Sequence, residues 1–125
     1  QIFDMLLEED SYPLVFHCTA GKDRTGLLSA LILSALEVPQ DVIFNEYLLS
    51  NYFRYDKIER NAKLGAWILG IDPVASRSIM DVRNEYLASS FEAIEREYGS
   101  LDRYFNEALD LTQEDLARLR ELLLY

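Results

Sequence analysis

From Gly26 onward, apolar positions recur at helical spacing almost without a break. Leu27, Leu28, Leu31, Ile32, Ala35 and Leu36 form a wide stripe that predicts a buried helix over 26–36. Pro39 stops that pattern and can open a second helix over 39–49, which carries Val42, Ile43, Tyr47 and Leu48. A third helix, over 54–69, is weakened by Gly65 in its interior. Residues 70–78 read as a loop around an Asp72-Pro73 turn. Ile79, Val82, Tyr86, Leu87, Phe91, Ile94 and Tyr98 then predict one long helix over 79–98, closed by Gly99 at its C-terminal cap. Ser100 caps a short helix running through Asn106. Thr112, with Asp115 three residues on, resembles a capping box, and Leu111 can staple to Leu116 at the start of the last helix.

Before Gly26 the pattern changes. Ile2, Phe3, Leu6 and Leu7 recur at helical spacing, followed by acidic Glu8-Glu9-Asp10 and the turn-like Ser11-Tyr12-Pro13. Residues 14–17, Leu14 through His17, form the one convincing strand. One strand cannot make a sheet, so its neighbours are expected from residues upstream of Gln1 or from another chain. The expected fold class is α/β, mostly helical, with a single strand leading into the segment that follows it.

The chain has 125 residues, half of them hydrophobic, enough to bury a core and form one domain or part of one. Its net charge of −10, from 22 acidic and 12 basic residues, argues against nucleic acid and against broad attraction to anionic membranes. The apolar stretch at 2–7 is too short for a membrane span and lacks a basic lead. Acidic runs such as 92–97 read as solvated helix faces, and most of the eight tyrosines and six phenylalanines as core.

Candidate chemistry is concentrated in His17-Cys18-Thr19-Ala20-Gly21-Lys22-Asp23-Arg24-Thr25-Gly26. Cys18 is the only cysteine, so no internal disulfide explains it. Gly21 allows the backbone to curl so that successive N–H groups point inward as an anion nest. Arg24 brings a planar fork of donors matched to two phosphate oxygens. A helix starting near Arg24 or Thr25 would aim its positive end into the same hollow. A thiol in that field should ionise at neutral pH and act as a nucleophile toward a bound phosphate ester, without metal or cofactor. Thr25 can donate its hydroxyl to the thiolate, and His17 can fix the loop through a backbone hydrogen bond. A lone cysteine is more often a buried small hydrophobe, but the arginine, threonine, glycines and histidine at these offsets outweigh that reading. Lys22 adds a cation suited to an extra substrate phosphate, or is a solvated loop residue.

The spacing His17, Cys18, five residues, Arg24, Thr25 resembles the phosphate-binding loop of the protein tyrosine phosphatase superfamily. The interior Ala20-Gly21-Lys22-Asp23 is similar to one branch, the microbial tyrosine phosphatases that also accept phosphoinositides. The likeness extends to the helix over 26–36, to Glu46-Tyr47-Leu48-Leu49-Ser50-Asn51, to Glu97-Tyr98-Gly99-Ser100 and to the segment 111–124, with Glu46 standing where this branch has aspartate. The resemblance implies a cysteine-phosphatase fold and hydrolysis of phosphotyrosine, phosphoserine or phosphothreonine, or phosphoinositides, through a phosphocysteine. It implies Cys18, Arg24 and Asp23 as catalytic residues, and Thr19, Ala20, Gly21, Lys22 and Thr25 as substrate-binding. Asp23 would serve as the acid where the usual mobile one is absent; alternatively it orients the loop. In that family several strands and a mobile acid-bearing loop precede the nucleophile, so residues 1–125 are expected to be the C-terminal part of one catalytic domain. The expected partners are a phosphorylated protein or a phosphoinositide. A reducing cytoplasm is the expected location, with secretion left open, as is the oligomeric state.

Two other functions compete. An inactive module could hold phosphate without turnover. Sulfur transfer or arsenate reduction is weaker, because arsenate reduction usually needs resolving thiols. Asp72-Pro73 also resembles the acid of the low-molecular-weight phosphatases, but that family needs parallel strands after the loop, where this chain has helical periodicity.

Overall fold

The computed structural model describes residues 2–124. Gln1 and Tyr125, the two ends of the expected 1–125 domain, lie outside the described residues. The helices are α1 (Ile2–Leu7), α2 (Asp23–Ala35), α3 (Gln40–Phe53), α4 (Tyr55–Leu69), α5 (Pro73–Met80), α6 (Asn84–Tyr98), α7 (Leu101–Leu109) and α8 (Gln113–Leu123), with a single 3-10 turn at Glu9–Ser11.

Helix α2 is the axis of the molecule, because it buries two faces at once. Leu31 and Ala35 pack with Phe3 and Leu6 of α1, Phe105 of α7 and Leu116 and Leu119 of α8. Ala30 packs with Ile43 and Tyr47 of α3, Val82, and Leu87 of α6. Each cluster excludes water from large aliphatic and aromatic side chains, the main favourable contribution to folding. Phe3 and Phe105 meet edge to face at 6.1 Å. The first turn of α2 lies so close to α3 that a Cβ on Gly26 would fall 2.5 Å from Cε2 of Tyr47. Gly26→Ala is therefore expected to destabilise the protein by about 1–3 kcal/mol through overpacking, although alanine is the better helix former by about 1 kcal/mol. Denaturant unfolding checks this, and a stabilised variant would contradict the packing described.

Several sequence expectations need correction. The strand at residues 14–17 is not seen; among the described residues no strand is present and these four make no backbone ladder. Burial still alternates with the strand period, Leu14 and Phe16 half-buried while Val15 and His17 are exposed, Val15 to 85%. The α/β expectation thus reduces here to a helical assembly with an unpaired extended lead-in, since a strand exists only through its partner.

The loop expected at 70–78 is also wrong, because Pro73–Met80 is helical. Asp72 caps it, accepting from the N–H groups of Val74 at 2.8 Å and Ala75 at 3.2 Å, with Pro73 in the first turn where its missing N–H costs nothing. The long helix expected over 79–98 is broken at residues 81–83, so Ile79 ends up in α5 and Tyr86 in α6. Helix α4 runs unbroken through Gly65, whose missing side chain leaves room for α5. Ser76, only 2% exposed, donates its hydroxyl to the Ala62 carbonyl at 2.8 Å, and a Cβ on Gly65 would meet that hydroxyl at 3.0 Å.

Other expectations hold at the level of single caps. Gly99 ends α6 at φ +79, and Ser100 accepts from the Arg103 N–H at 3.2 Å. Thr112 and Asp115 form the full capping box, with Leu111 and Leu116 buried in the same cluster. No helix among the described residues is long and apolar enough to cross a membrane.

Candidate active site

The segment from Cys18 to Lys22 curls back on itself between the lead-in at residues 14–17 and the N-terminus of α2. Gly21 makes the curl, with φ +64 and open space where a Cβ would sit, so the backbone conformation rather than crowding demands glycine there. The turn brings the Gly21 N–H to the Cys18 sulfur at 3.2 Å. Thr19 and Ala20 are exposed at the rim. His17 is exposed too, its Nδ1 3.4 Å from the Cys18 carbonyl oxygen, where the Nδ1–H tautomer can donate weakly.

Helix α2 begins without a side-chain cap. Its cap position is Lys22, which has no acceptor to offer, so the N–H groups of the first turn are left for another anion. The Gly26 N–H is the first to be satisfied inside the helix, by the Lys22 carbonyl at 2.7 Å. Thr25 Oγ1 is buried, and its contact with the Cys18 sulfur falls short of a well-formed hydrogen bond in this geometry. The sulfur is the acceptor of that hydroxyl, which is costly to leave buried and unpaired. Donation from the Thr25 hydroxyl first, then from the Thr25 N–H, and less strongly from Gly21 and Lys22, lowers the Cys18 thiol to about 6. Thiolate is therefore the majority form above pH 6 and is lost below it. Alkylation of Cys18 by iodoacetamide should rise with pH and reach half its plateau near pH 6; a midpoint near ~8.5, as in a free thiol, would contradict this loop geometry.

Arg24 is exposed and makes no hydrogen bond or ion pair among the described residues. It lines two hollows. One, of about 270 Å³, is shared with Cys18, Phe16, Thr25 and Leu28. The other, of about 190 Å³, is shared with Asp23, Tyr47, Tyr86 and Ser90. Asp23 thus adjoins Arg24 without lining the hollow that Cys18 lines. The Asp23 carboxyl is 58% exposed and 3.3 Å from the Lys22 ammonium. Burial first, and then the Asp23 charge, raises the Tyr47 phenol above its ordinary range. The Lys22 ammonium itself donates to the carbonyls of Ile79 at 2.9 Å and Asp81 at 3.1 Å. Among the described residues, no group of three His, Cys, Asp or Glu side chains is arranged to hold a metal ion.

A thiolate held by hydroxyl and N–H donors at an uncapped helix start, beside an arginine with no partner among the described residues, matches what the family resemblance implies for this segment. The sequence profile described as "Tyrosine phosphatase family" matches residues 1–125. The chain belongs to the tyrosine phosphatase family. A Cupriavidus necator protein, named provisionally as a tyrosine-protein phosphatase, is 43% identical over 107 residues, covering 86% of this chain and 38% of that protein. The triple specificity protein phosphatase PtpB of Mycobacterium tuberculosis is 36% identical over 126 residues, 90% of this chain and 44% of that protein. A tyrosine-protein phosphatase of Nostoc commune is 38% identical over 53 residues, 42% of this chain and 18% of that one. The chain therefore spans less than half the length of these tyrosine phosphatase relatives.

The sequence missed the partners of two site residues. Nothing near Lys22 in the chain marks Ile79 and Asp81, because both acceptors are backbone carbonyls that any residue could supply. Asn51, whose side chain bonds both backbone groups of Val82 beside those acceptors, was marked only as the last residue of the family-like segment 46–51.

Proposed function

We propose that this chain carries the nucleophile and phosphate cradle of a phosphatase that hydrolyses phosphate monoesters of proteins, as a tyrosine or dual-specificity enzyme, and of phosphoinositides. The observation that carries this reading is the Cys18 thiol at the uncapped start of α2, lowered to about 6 by donation from Thr25 in the first turn and from Gly21 and Lys22 in the loop. The relative named as a triple specificity phosphatase supports the broader substrate range.

In the proposed reaction the Cys18 thiolate attacks phosphorus in line with the ester oxygen. The S–P bond forms as the P–O bond breaks, and the leaving oxygen takes a proton from Asp23. The N–H groups of Thr19, Ala20, Gly21 and Lys22 hold the equatorial oxygens, while Arg24 adds its fork where charge accumulates. Water then attacks the phosphocysteine, returning its proton to Asp23 and releasing phosphate and thiolate. Thr25 stabilises the thiolate as leaving group. Asp23 is proposed as the acid because it stands beside Arg24 in the first turn of α2; Arg24 lines both the hollow of Asp23 and the neighbouring hollow of Cys18.

We further propose that residues 1–125 form the C-terminal part of a single catalytic domain. The alternating burial at 14–17 suits a strand completed by further chain. A reducing cytoplasm suits a thiolate nucleophile. Assay of the protein on an aryl phosphate beside its Cys18→Ser form tests the enzymatic reading: activity confined to the cysteine form supports it, and equal rates overturn it in favour of a phosphate-binding module.

A further inference from the structure

Lys22 stands in the phosphate loop, yet its side chain turns away from solvent and is only 11% exposed. An ammonium has three donors, and here three acceptors surround it: the carbonyls of Ile79 at 2.9 Å and Asp81 at 3.1 Å, and the Asp23 carboxylate at 3.3 Å. One carbonyl lies in the last turn of α5, and the other opens the break between α5 and α6. The next residue, Val82, is 2% exposed in the cluster shared by α2, α3 and α6. Both its backbone groups are taken by one side chain of α3. Asn51 Nδ2 donates to the Val82 carbonyl at 2.7 Å, and the Val82 N–H donates to Asn51 Oδ1 at 2.8 Å. The remaining charges at this turn are the Asp81 carboxylate and Arg83, 3.4 Å apart.

We propose that Lys22 and Asn51 form a clasp that sets the position of the phosphate loop, Lys22 fastening the loop to the 79–82 turn and Asn51 fastening that turn to α3. Lys22 is thus a positioning residue. It acts on Cys18 through the Thr25 donors that follow it in the first turn of α2 and through the N–H groups of Gly21 and of Lys22 itself, and its charge is spent on the protein rather than on a second substrate phosphate. Taking the ammonium to a head group would break both carbonyl bonds, each of the charge-assisted kind that is about twice as strong as a neutral one. The kinetic consequence rests on the phosphatase reading; the effect on the thiol does not.

Cys18 is the sole cysteine, so its alkylation profile reports the loop alone. The test compares that profile, together with turnover of an aryl phosphate and of a phosphoinositide, in Lys22→Met, Asn51→Ala and the double variant. Asn51→Ala removes no charge, which separates position from Coulomb effects. Both single variants should move the alkylation midpoint upward by about half a pH unit or more as the loop donors loosen. Both should lower kcat about tenfold on the two substrates alike. The double variant should be no worse than Lys22→Met, since the two act through one turn. A folded Asn51→Ala with an unmoved midpoint overturns the clasp, as does an additive double variant. A Lys22→Met form that loses only phosphoinositide turnover overturns it in favour of a head-group cation. If Asn51→Ala does not fold, Asn51→Ser carries the same expectations. Shifted midpoints in a protein without turnover would leave the clasp standing and defeat the phosphatase reading instead.

Discussion

Cys18→Ser should reduce turnover of an aryl phosphate by about 10⁴-fold or more while leaving phosphate binding within a few-fold of the parent. The reason lies in which form of the side chain the loop stabilises. Donors from Thr25, Gly21 and Lys22 bring a thiol to about 6, but the same donors acting on a serine hydroxyl start from a group far harder to ionise. The variant therefore presents a neutral, weakly nucleophilic oxygen to phosphorus at every working pH. The cradle should persist, because a serine oxygen can accept the Gly21 N–H that the sulfur accepts at 3.2 Å, and the left-handed Gly21 and the uncapped start of α2 are backbone features. Rate and inorganic phosphate affinity, measured on the same preparation, check both halves. Retained turnover would remove Cys18 from the chemistry, whereas lost phosphate binding would mean that sulfur organises the loop.

Arg24→Lys should lower kcat/KM by about 10²–10³-fold, close to the effect of Arg24→Ala. Arg24 makes no hydrogen bond or ion pair among the described residues, and it lines the hollow shared with Cys18, so its fork can take two oxygens of a bound phosphoryl group. Lysine keeps the charge and loses the planar pair of donors. If charge alone mattered, Arg24→Lys would stay near the parent rate, and the bidentate role assigned here would be wrong. Steady-state kinetics on one aryl phosphate across the three proteins decide between these outcomes.

What could be read from the sequence was local. The capping box of Thr112 and Asp115, the left-handed Gly99 and the loop from Cys18 to Arg24 each depend on residues within a few positions of one another. The misses all depended on distant partners. Residues 14–17 carry strand-like alternation, but pairing requires a neighbour that the described residues do not provide. Val82 continues the apolar spacing of Ile79 and Tyr86, so the break at 81–83 has no signature of its own. What makes it visible is Asn51, 31 residues away, taking both backbone groups of Val82. Helix α5 is a different failure. Asp72-Pro73 suits a turn and also suits a helix start, and the choice is made by Ser76 docking against the gap at Gly65. Lys22 is the clearest functional case. Its residue type suggests a cation for substrate, yet its acceptors are carbonyls 57 and 59 positions further on.

The central claim is that Cys18 becomes covalently phosphorylated during turnover. The most direct measurement is rapid acid quench of the protein with an aryl phosphate, followed by peptide mass spectrometry. One phosphoryl group is expected on the peptide bearing Cys18, absent from the Cys18→Ser form. Continued turnover with no phosphoryl group on Cys18, or with the group on another residue, would contradict it.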